Sequence, residues 1–402
     1  MLFRRAEACK QLEFIMSLIP TDPIWIDDNK ALAELCERWS QQAAIAVDTE
    51  FMRSETFYPI AGLLQIGDGK GCYLIDPLTI TDVEPLKALL VNENVTKVLH
   101  SCSEDLEMFD KWLGLIPSPL FDTQIAAAFA GLGYGLGYAN LVKAVLGIEI
   151  PKNETRSDWL ARPLSVSQLN YAALDVAHML IVYGKILQII KDTERLDWVK
   201  QDCADLVAKA RAPVDFSDAY QKVGFAFKLR SNELAILKTL SLWRESEARA
   251  RDIPRNRLIK ESCMWEVARK KPTTLNQLSH CGEIPQRTLK ADGEHILAMV
   301  AGALASDPAT FPDRVEPPLA QSQGPLMKAL KAFVREQAEA VNIPSEILIR
   351  KKEYEHIVRS GLKGGSYQLP ERLKGWRYPI IGKGLIHLAE TFVSSAEAEI
   401  QS

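Results

Sequence analysis

The chain has 402 residues, of which 47% are hydrophobic and 25% charged, with a formal net charge of −4. That is ordinary for a globular protein and long enough for two or three domains. The charge is unevenly spread: residues 1–214 carry 20 Lys and Arg against 29 Asp and Glu, and residues 215–402 carry 28 against 23. The acidic half suits a metal site better than a polyanion, and only the basic half has the sign that a polyanion requires.

Seven cysteines, at positions 9, 36, 72, 102, 203, 263 and 281, are odd in number and form no C-x-x-C. This argues against a disulfide framework or a zinc site and for reduced thiols. No apolar run reaches the length of a membrane span, and the N-terminal "MLFRRAEACKQLEFIMSLIP" has only a short apolar patch broken by Lys10 and Glu13. A cytoplasmic protein is expected.

Residues 1–22 read as an extension. "WIDDNKALAELCERW" reads as a strand end followed by a helix capped near Asp27 or Asp28. Three strand candidates follow, "AIAVDTEF", "GLLQIGDG" and "GCYLIDP", the last two close enough across a Gly-rich turn to form a hairpin. "TKVLHS" is a further strand leading into the helix "SEDLEMFDKWLG", and from Asp122 to about Arg211 the pattern is helical. A mixed sheet flanked by helices, an α/β domain, is the expectation for residues 23–212. "RAPVDFSDAY" reads as a linker, after which strand-like alternation stops and the chain looks wholly helical. A Pro-rich stretch, residues 307–325, separates two segments that resemble each other at an offset of 90 residues, "EARARDIPRNRLIK" and "QAEAVNIPSEILIR". Ala248/Ala338, Ala250/Ala340, Ile253/Ile343, Pro254/Pro344, Leu258/Leu348 and Ile259/Ile349 are identical pairs, which predicts a duplicated helical module at residues 226–306 and 326–395.

The chemistry lies in the acids. Asp48 and Glu50 end an apolar strand and, being two residues apart, point to the same side. Converging carboxylates at a buried sheet edge repel each other and lose hydration unless a cation neutralises them, although a strand emerging into solvent would carry the same pattern. In "HSCSEDLEMF" Ser101 and Glu104 fit a capping box, which puts Asp105 in the first turn of a helix, where an anion is tolerated. Tyr171 and Asp175, four apart in "SQLNYAALDVAHML", share a face of a helix whose neighbours Leu169, Ala172, Val176 and Leu180 are apolar, so Asp175 needs a partner. Four acids from a strand, a helix start and a later helix can line one cavity. Oxygen-only ligands select Mg²⁺ or Mn²⁺ over zinc, and two such ions about 4 Å apart stabilise both oxygens of a phosphodiester displacement.

The order and spacing of "VDTEF", "HSCSEDLEMF" and "YAALD" resemble the three motifs of the DEDD superfamily of 3′→5′ exonucleases, in its Tyr-containing branch. "ETFYPIAGLLQIG" and "RSDWLARPLSVSQLNYAALDV" resemble the ribonuclease D family within it, and the helical repeats resemble that family's tandem HRDC domains. The resemblance covers nearly all of the chain after residue 22. It implies an RNase H-like exonuclease domain followed by two small all-α HRDC domains, acting on single-stranded RNA 3′ ends, notably of tRNA precursors, to release 5′-mononucleotides. It implies two divalent metal ions, Mg²⁺ or Mn²⁺, held by Asp48, Glu50, Asp105 and Asp175, with Tyr171 orienting the attacking water. No membrane and no obligate protein partner are expected.

Other residues carry weaker signals. Phe51, Phe57 and Tyr58 flank the first motif and are candidates to stack on terminal bases, or core residues. Gln65 is a candidate sugar contact or a sheet hydrogen bond, and His100 a substrate contact or a structural residue. Asp122 reads as an N-cap. Lys152, Arg156 and Arg162 are candidates to meet phosphates. In the helical half the densest basic cluster runs from Arg255 to Lys271, with a second at residues 350–352. The competing readings are a DNA exonuclease, since the acids do not distinguish sugars, and a catalytically silent RNA-binding scaffold.

Overall fold

A computed structural model describes residues 21–151, 157–362 and 366–401. The N-terminal extension lies almost wholly outside these residues, as do Lys152 and Arg156. The chain forms two compact units, each discontinuous in sequence. One comprises the residues up to Met52, Ala61–Arg211 and all from Leu319; the other comprises Arg53–Ile60 and Ala212–Pro318.

The first unit is built on a six-stranded sheet of order β1-β4-β3-β2-β5-β6, with β1 Pro23–Ile26, β2 Ala44–Met52, β3 Ile60–Gly67, β4 Cys72–Ile75, β5 Thr96–Leu99 and β6 Leu120–Asp122. The expected hairpin is present: β3 and β4 are antiparallel, with Gly67 opposite Cys72. β2 runs parallel to β5 and β5 to β6, so the sheet is mixed. β2 is central, and Ile45, Ala46 and Val47 are completely buried, which is why its first half is apolar. β6, only three residues long, has no counterpart among the expected strands.

Helix α1 (Asn29–Trp39) starts as expected, its N-cap Asp28 accepting from the Ala31 amide at 2.9 Å, and it packs on α2 (Glu84–Leu90). There follow α3 (Ser103–Leu113), α4 (Thr123–Phe129), α5 (Tyr138–Leu146), α6 (Val166–Ala177), α7 (Met179–Asp192) and α8 (Leu196–Arg211). α6 packs on β1, β2 and β4, α7 on β2 and β5, and α8 on β6 and α3. Contrary to the expectation of no span-length apolar stretch, Val166–Asp192 is long and apolar enough to cross a membrane. Here it is two helices that turn Ala172, Ala173, Val176, Val182, Ile186 and Ile190 into the core. α6 comes so close to β3 that a Cβ on Gly67 would lie 2.8 Å from the Val176 carbonyl oxygen, so only glycine admits this approach. That approach carries Asp175 to the sheet.

The same unit contains α14 (Gly324–Ala340), α15 (Ser345–Leu348), α16 (Lys351–Leu362) and α17 (Lys383–Gln401), whose buried residues Leu326, Leu330, Val334, Ile357 and Leu385 continue the core of the sheet and its helices. Arg377, 1% exposed, donates to Asp202 of α8 at 2.5 Å, and Trp376 stacks on Trp198 with ring centroids 4.7 Å apart. Arg195 donates to the carbonyls of Phe129 (2.7 Å) and Val341.

The second unit has its own core, with α9 (Ser231–Ala250), α10 (Arg255–Leu258), α11 (Glu261–Lys270), α12 (Leu275–Ser279) and α13 (Gln286–Ala305) around Leu237, Leu240, Met264, Val267 and Ile296. No strand follows Asp122 among the described residues. The two similar segments share local backbone features. α10 and α15 lie 90 residues apart, Asp252 and Asn342 before them take φ of +49° and +47°, and Ile253 and Ile343 each donate to the alanine carbonyl five residues back at 3.0 Å.

Candidate active site

β2, α3 and α6 converge on a cavity of about 260 Å³ lined by Asp48, Thr49, Glu50, Phe51, His100, Ser101, Glu104, Asp105, Tyr138, Tyr171, Asp175 and Met179. All five residues expected to carry the chemistry are among them. Carboxylate oxygens of Asp48, Glu50 and Asp175 lie within 4.8 Å of one another. Asp105 lines the same cavity with its carboxylate held by the Thr49 hydroxyl. Tyr171, one turn before Asp175, hydrogen-bonds to it.

Asp105 does lie in the first turn of a helix, but that helix does not start through the expected capping box. Ser101 has φ +57°, Cys102 is the N-cap, and neither caps α3 with its side chain. The Ser101 and Cys102 amides are instead accepted by the carboxylate of Asp122, at 3.2 and 3.0 Å. Asp122 also caps α4 by accepting from Gln124 and Ile125, so one acid fixes two helix starts.

The electrostatics call for a cation. Burial, then the charges of Asp175 and Asp105, push Glu50 up to about 9. Burial pushes Asp175 up to about 7, and Asp105 to about 6 against the opposing Thr49 hydrogen bond. Asp48 is raised well above the carboxylate range by burial and by Asp175, Asp105 and Glu50. Such a cluster keeps protons at neutral pH unless divalent cations replace them, and its all-oxygen donor set suits hard cations.

Around the acids, Phe51 is half-buried in the cavity wall. His100 is held by Thr123 Oγ1 (2.9 Å) and the Leu136 carbonyl (3.0 Å), and burial lowers its pKa, so it is a neutral wall residue. Tyr138, which no spacing signal in the sequence points to, is half-buried in the wall beside His100, their rings 5.6 Å apart. Thr49 carries no signal in the sequence, since alternation puts it on the face opposite Asp48 and Glu50. Gln65 is completely buried on β3 and absent from the cavity, which removes it as a sugar contact. Arg162 is engaged by Asp76 (2.5 Å) and the Gly62 carbonyl (2.7 Å), which corrects its reading as a phosphate contact. Phe57 and Tyr58 lie in the second unit, Phe57 only 5% exposed, with its ring in contact with Tyr58.

The basic cluster from Arg255 to Lys271 is largely neutralised. Arg255 is bound by Glu245, Arg257 by Glu55, Lys260 by Glu283, Lys270 by Glu266 and Lys271 by Glu233, while Arg269 lies over the Trp265 ring. By contrast Lys328, Lys331 and Arg335 are exposed on one face of α14 and have no ion pair among the described residues.

A 3′-5′ exonuclease family model matches residues 23–191 and an HRDC domain model matches residues 233–300. Ribonuclease D of Pseudomonas paraeruginosa is 42% identical over 91% of this chain and 97% of its own length. The chain belongs to the ribonuclease D family. Ribonuclease D of Escherichia coli is 36% identical over 91% of this chain and 98% of its own. The crystal structure of E. coli RNase D, described as an exoribonuclease involved in structured RNA processing, superposes with a TM-score of 0.85 at 35% identity, covering 92% of this chain and 99% of that one. As a ribonuclease D family member with an acidic cluster of this kind, the chain is a metal-dependent 3′→5′ exoribonuclease, a nuclease hydrolase.

Proposed function

We propose that the chain trims the 3′ ends of tRNA precursors and other structured RNAs, releasing 5′-mononucleotides at a site of the Tyr-containing branch. The carrying observation is the convergence of Asp48, Glu50 and Asp175 within 4.8 Å in a cavity that Asp105 and Tyr171 also line. Asp48, Glu50, Asp105 and Asp175 would hold two divalent cations, Mg²⁺ or Mn²⁺. Bound there, they supply Lewis-acid stabilisation of the attacking and leaving oxygens. The Tyr171 hydroxyl is held far above its ordinary pKa by burial and then by Asp175, Glu50 and Asp48, so it stays protonated. It therefore orients the attacking water through a hydrogen bond and does not act as a base. Phe51 offers a ring at the cavity wall for the terminal base.

The domain reading is an exonuclease domain at residues 23–212, HRDC domains at 226–306 and 326–395, and a linker at 307–325. The shared backbone geometry around Asp252 and Asn342 supports two copies of one module. The free stripe Lys328, Lys331 and Arg335 supports a role for the second copy in holding the RNA body.

The test incubates the protein with 3′-extended tRNA and a matched single-stranded DNA, each with Mg²⁺, Mn²⁺ or chelator. Stepwise loss of nucleotides from the RNA 3′ end, absent with chelator, is expected. Equal digestion of the DNA would favour a DNA exonuclease, and RNA bound but uncut a silent scaffold.

A further inference from the structure

The chain that leads into α9 is anchored by Tyr220, Val223, Ala226 and Leu229, which are buried in the core of the second unit. Phe225, between these anchors, is turned outward and is 61% exposed. Its backbone has φ +63° and ψ 15°, the left-handed region that glycine adopts freely and a bulky residue only under strain. The ring offsets none of that cost by burial. The conformation is nevertheless held in place. The Phe225 carbonyl accepts from Trp265 Nε1 of α11 at 3.1 Å and from the Lys228 amide at 2.9 Å. The rings of Phe225 and Phe227 lie 6.3 Å apart at 51°. The Lys228 ammonium is 4.6 Å from the Phe225 centroid and 6.0 Å from that of Phe227, and the Arg269 guanidinium is 5.3 Å from that of Trp265. Neither cation has an ion pair among the described residues, and Glu266 of the same helix is taken by Lys270 at 2.8 Å.

We propose that Phe225, with Phe227, Lys228, Trp265 and Arg269, forms a platform for the bases and phosphates of unpaired RNA. An exposed ring flanked by free cations matches a ligand that has both a planar face and a negative charge, and single-stranded nucleic acid has both at every residue. An aliphatic protein patch would use the ring and leave the cations idle, whereas an acidic peptide would use the cations and leave the ring idle. The held backbone presents the ring already ordered, so binding does not have to fix it. The choice of RNA as the strand rests on the trimming activity proposed above. All five residues of the platform belong to the second unit.

The test measures binding of a circular single-stranded RNA to the full chain in chelator, which gives the catalytic cavity neither a 3′ end nor a cation. Hydrolysis of a linear RNA by the wild-type protein with Mn²⁺ reports separately on the trimming activity, so the two readings fail independently. Phe225→Gly removes the ring and suits the backbone, Phe225→Trp keeps a stacking face, and Phe225→Leu keeps apolar bulk without one. A base stacked on an aromatic ring contributes about 5- to 150-fold in affinity, so the Gly and Leu variants should each lose at least about 5-fold, with Phe225→Trp near wild type. An abasic strand of the same length, which offers phosphates alone, should bind all four proteins equally. Lys228→Gln combined with Arg269→Gln should reduce the slope of log affinity against log salt by about 1.4, two phosphates at about 0.7 each. Because glycine relieves the left-handed strain, Phe225→Gly should melt no lower than wild type. Unchanged affinity of the Gly and Leu variants for the circular RNA would overturn the proposal. So would an equal loss on the abasic strand, or a fall in the melting temperature of Phe225→Gly, which would make the ring structural. Loss of self-association with RNA affinity intact would make the platform a protein contact and overturn it as well.

Discussion

Replacing Lys328, Lys331 and Arg335 together with Gln should flatten the salt dependence of RNA binding without touching the chemical step. The three are spaced three and four apart on α14, so they form one exposed stripe, beside the buried face of Leu326, Leu330, Val334 and Ala338. Each phosphate contact contributes about 0.7 to the slope of log affinity against log salt for single strands and about 0.9 for a duplex, so three contribute about 2.1 to 2.7. Between about 50 and 200 mM salt, a fourfold change, the wild-type protein should therefore lose about 18- to 42-fold more affinity than the variant. Fluorescence anisotropy with a tRNA-sized substrate at several salt concentrations reads this directly. A short single strand that reaches only the cavity is the control, and its affinity should not move. Thermal melting checks that the variant is folded, which is expected because all three side chains are exposed. Identical slopes for the two proteins would refute the assignment and leave the stripe as a solvated face.

Replacing Asp48, Glu50, Asp105 or Asp175 with Ala should lower turnover by at least about 10³-fold while RNA binding persists, because each loss removes several kcal/mol of transition-state stabilisation; near-native turnover at saturating Mg²⁺ would remove that residue from the ligand set. Tyr171→Phe should cost about 10²- to 10⁴-fold in rate with a normal metal titration; a wild-type rate would make Tyr171 a packing residue only. The acids also predict how stability varies with pH in chelator. Glu50, Asp175 and Asp105 titrate at about 9, 7 and 6 in the fold, above their ordinary values of 4.5, 3.8 and 3.8, so their stabilising contribution is complete at low pH and is lost as pH rises through those values. The melting temperature in chelator should fall on going from acid to alkaline buffer and saturating Mn²⁺ should abolish the fall, whereas equal melting temperatures across that range in chelator would contradict the burial of these charges.

The sequence was readable where one local pattern determined the outcome. β2 to β5 announced themselves as apolar runs, and Asp48, Glu50, Tyr171 and Asp175 had spacings that put each pair on one side of one element. Features set by distant partners were hidden. The support of α3 comes from Asp122, far along the chain from Ser101, so the local Ser-x-x-Glu pattern suggested the wrong cap. Thr49 reaches Asp105 and Tyr138 reaches the cavity only through the packing of separate elements. β6 is too short to show a period. The Arg255–Lys271 cluster looked cationic because the acids that neutralise it, from Glu55 to Glu283, are scattered over more than two hundred residues. Residues 53–60 carry no sign in their composition that they fold apart from the strands on either side.

The two similar helical segments lie in different cores: the first has a core of its own, and the second, through Arg377, Trp376 and the buried face of α14, shares the core of the sheet and its helices. The Pro-rich stretch, residues 307–325, lies between them in the chain. A protease that nicks it should yield two fragments that stay associated and still melt with the sheet, so the last eighty or so residues behave as an inserted wedge of the enzyme and not as a detachable tail.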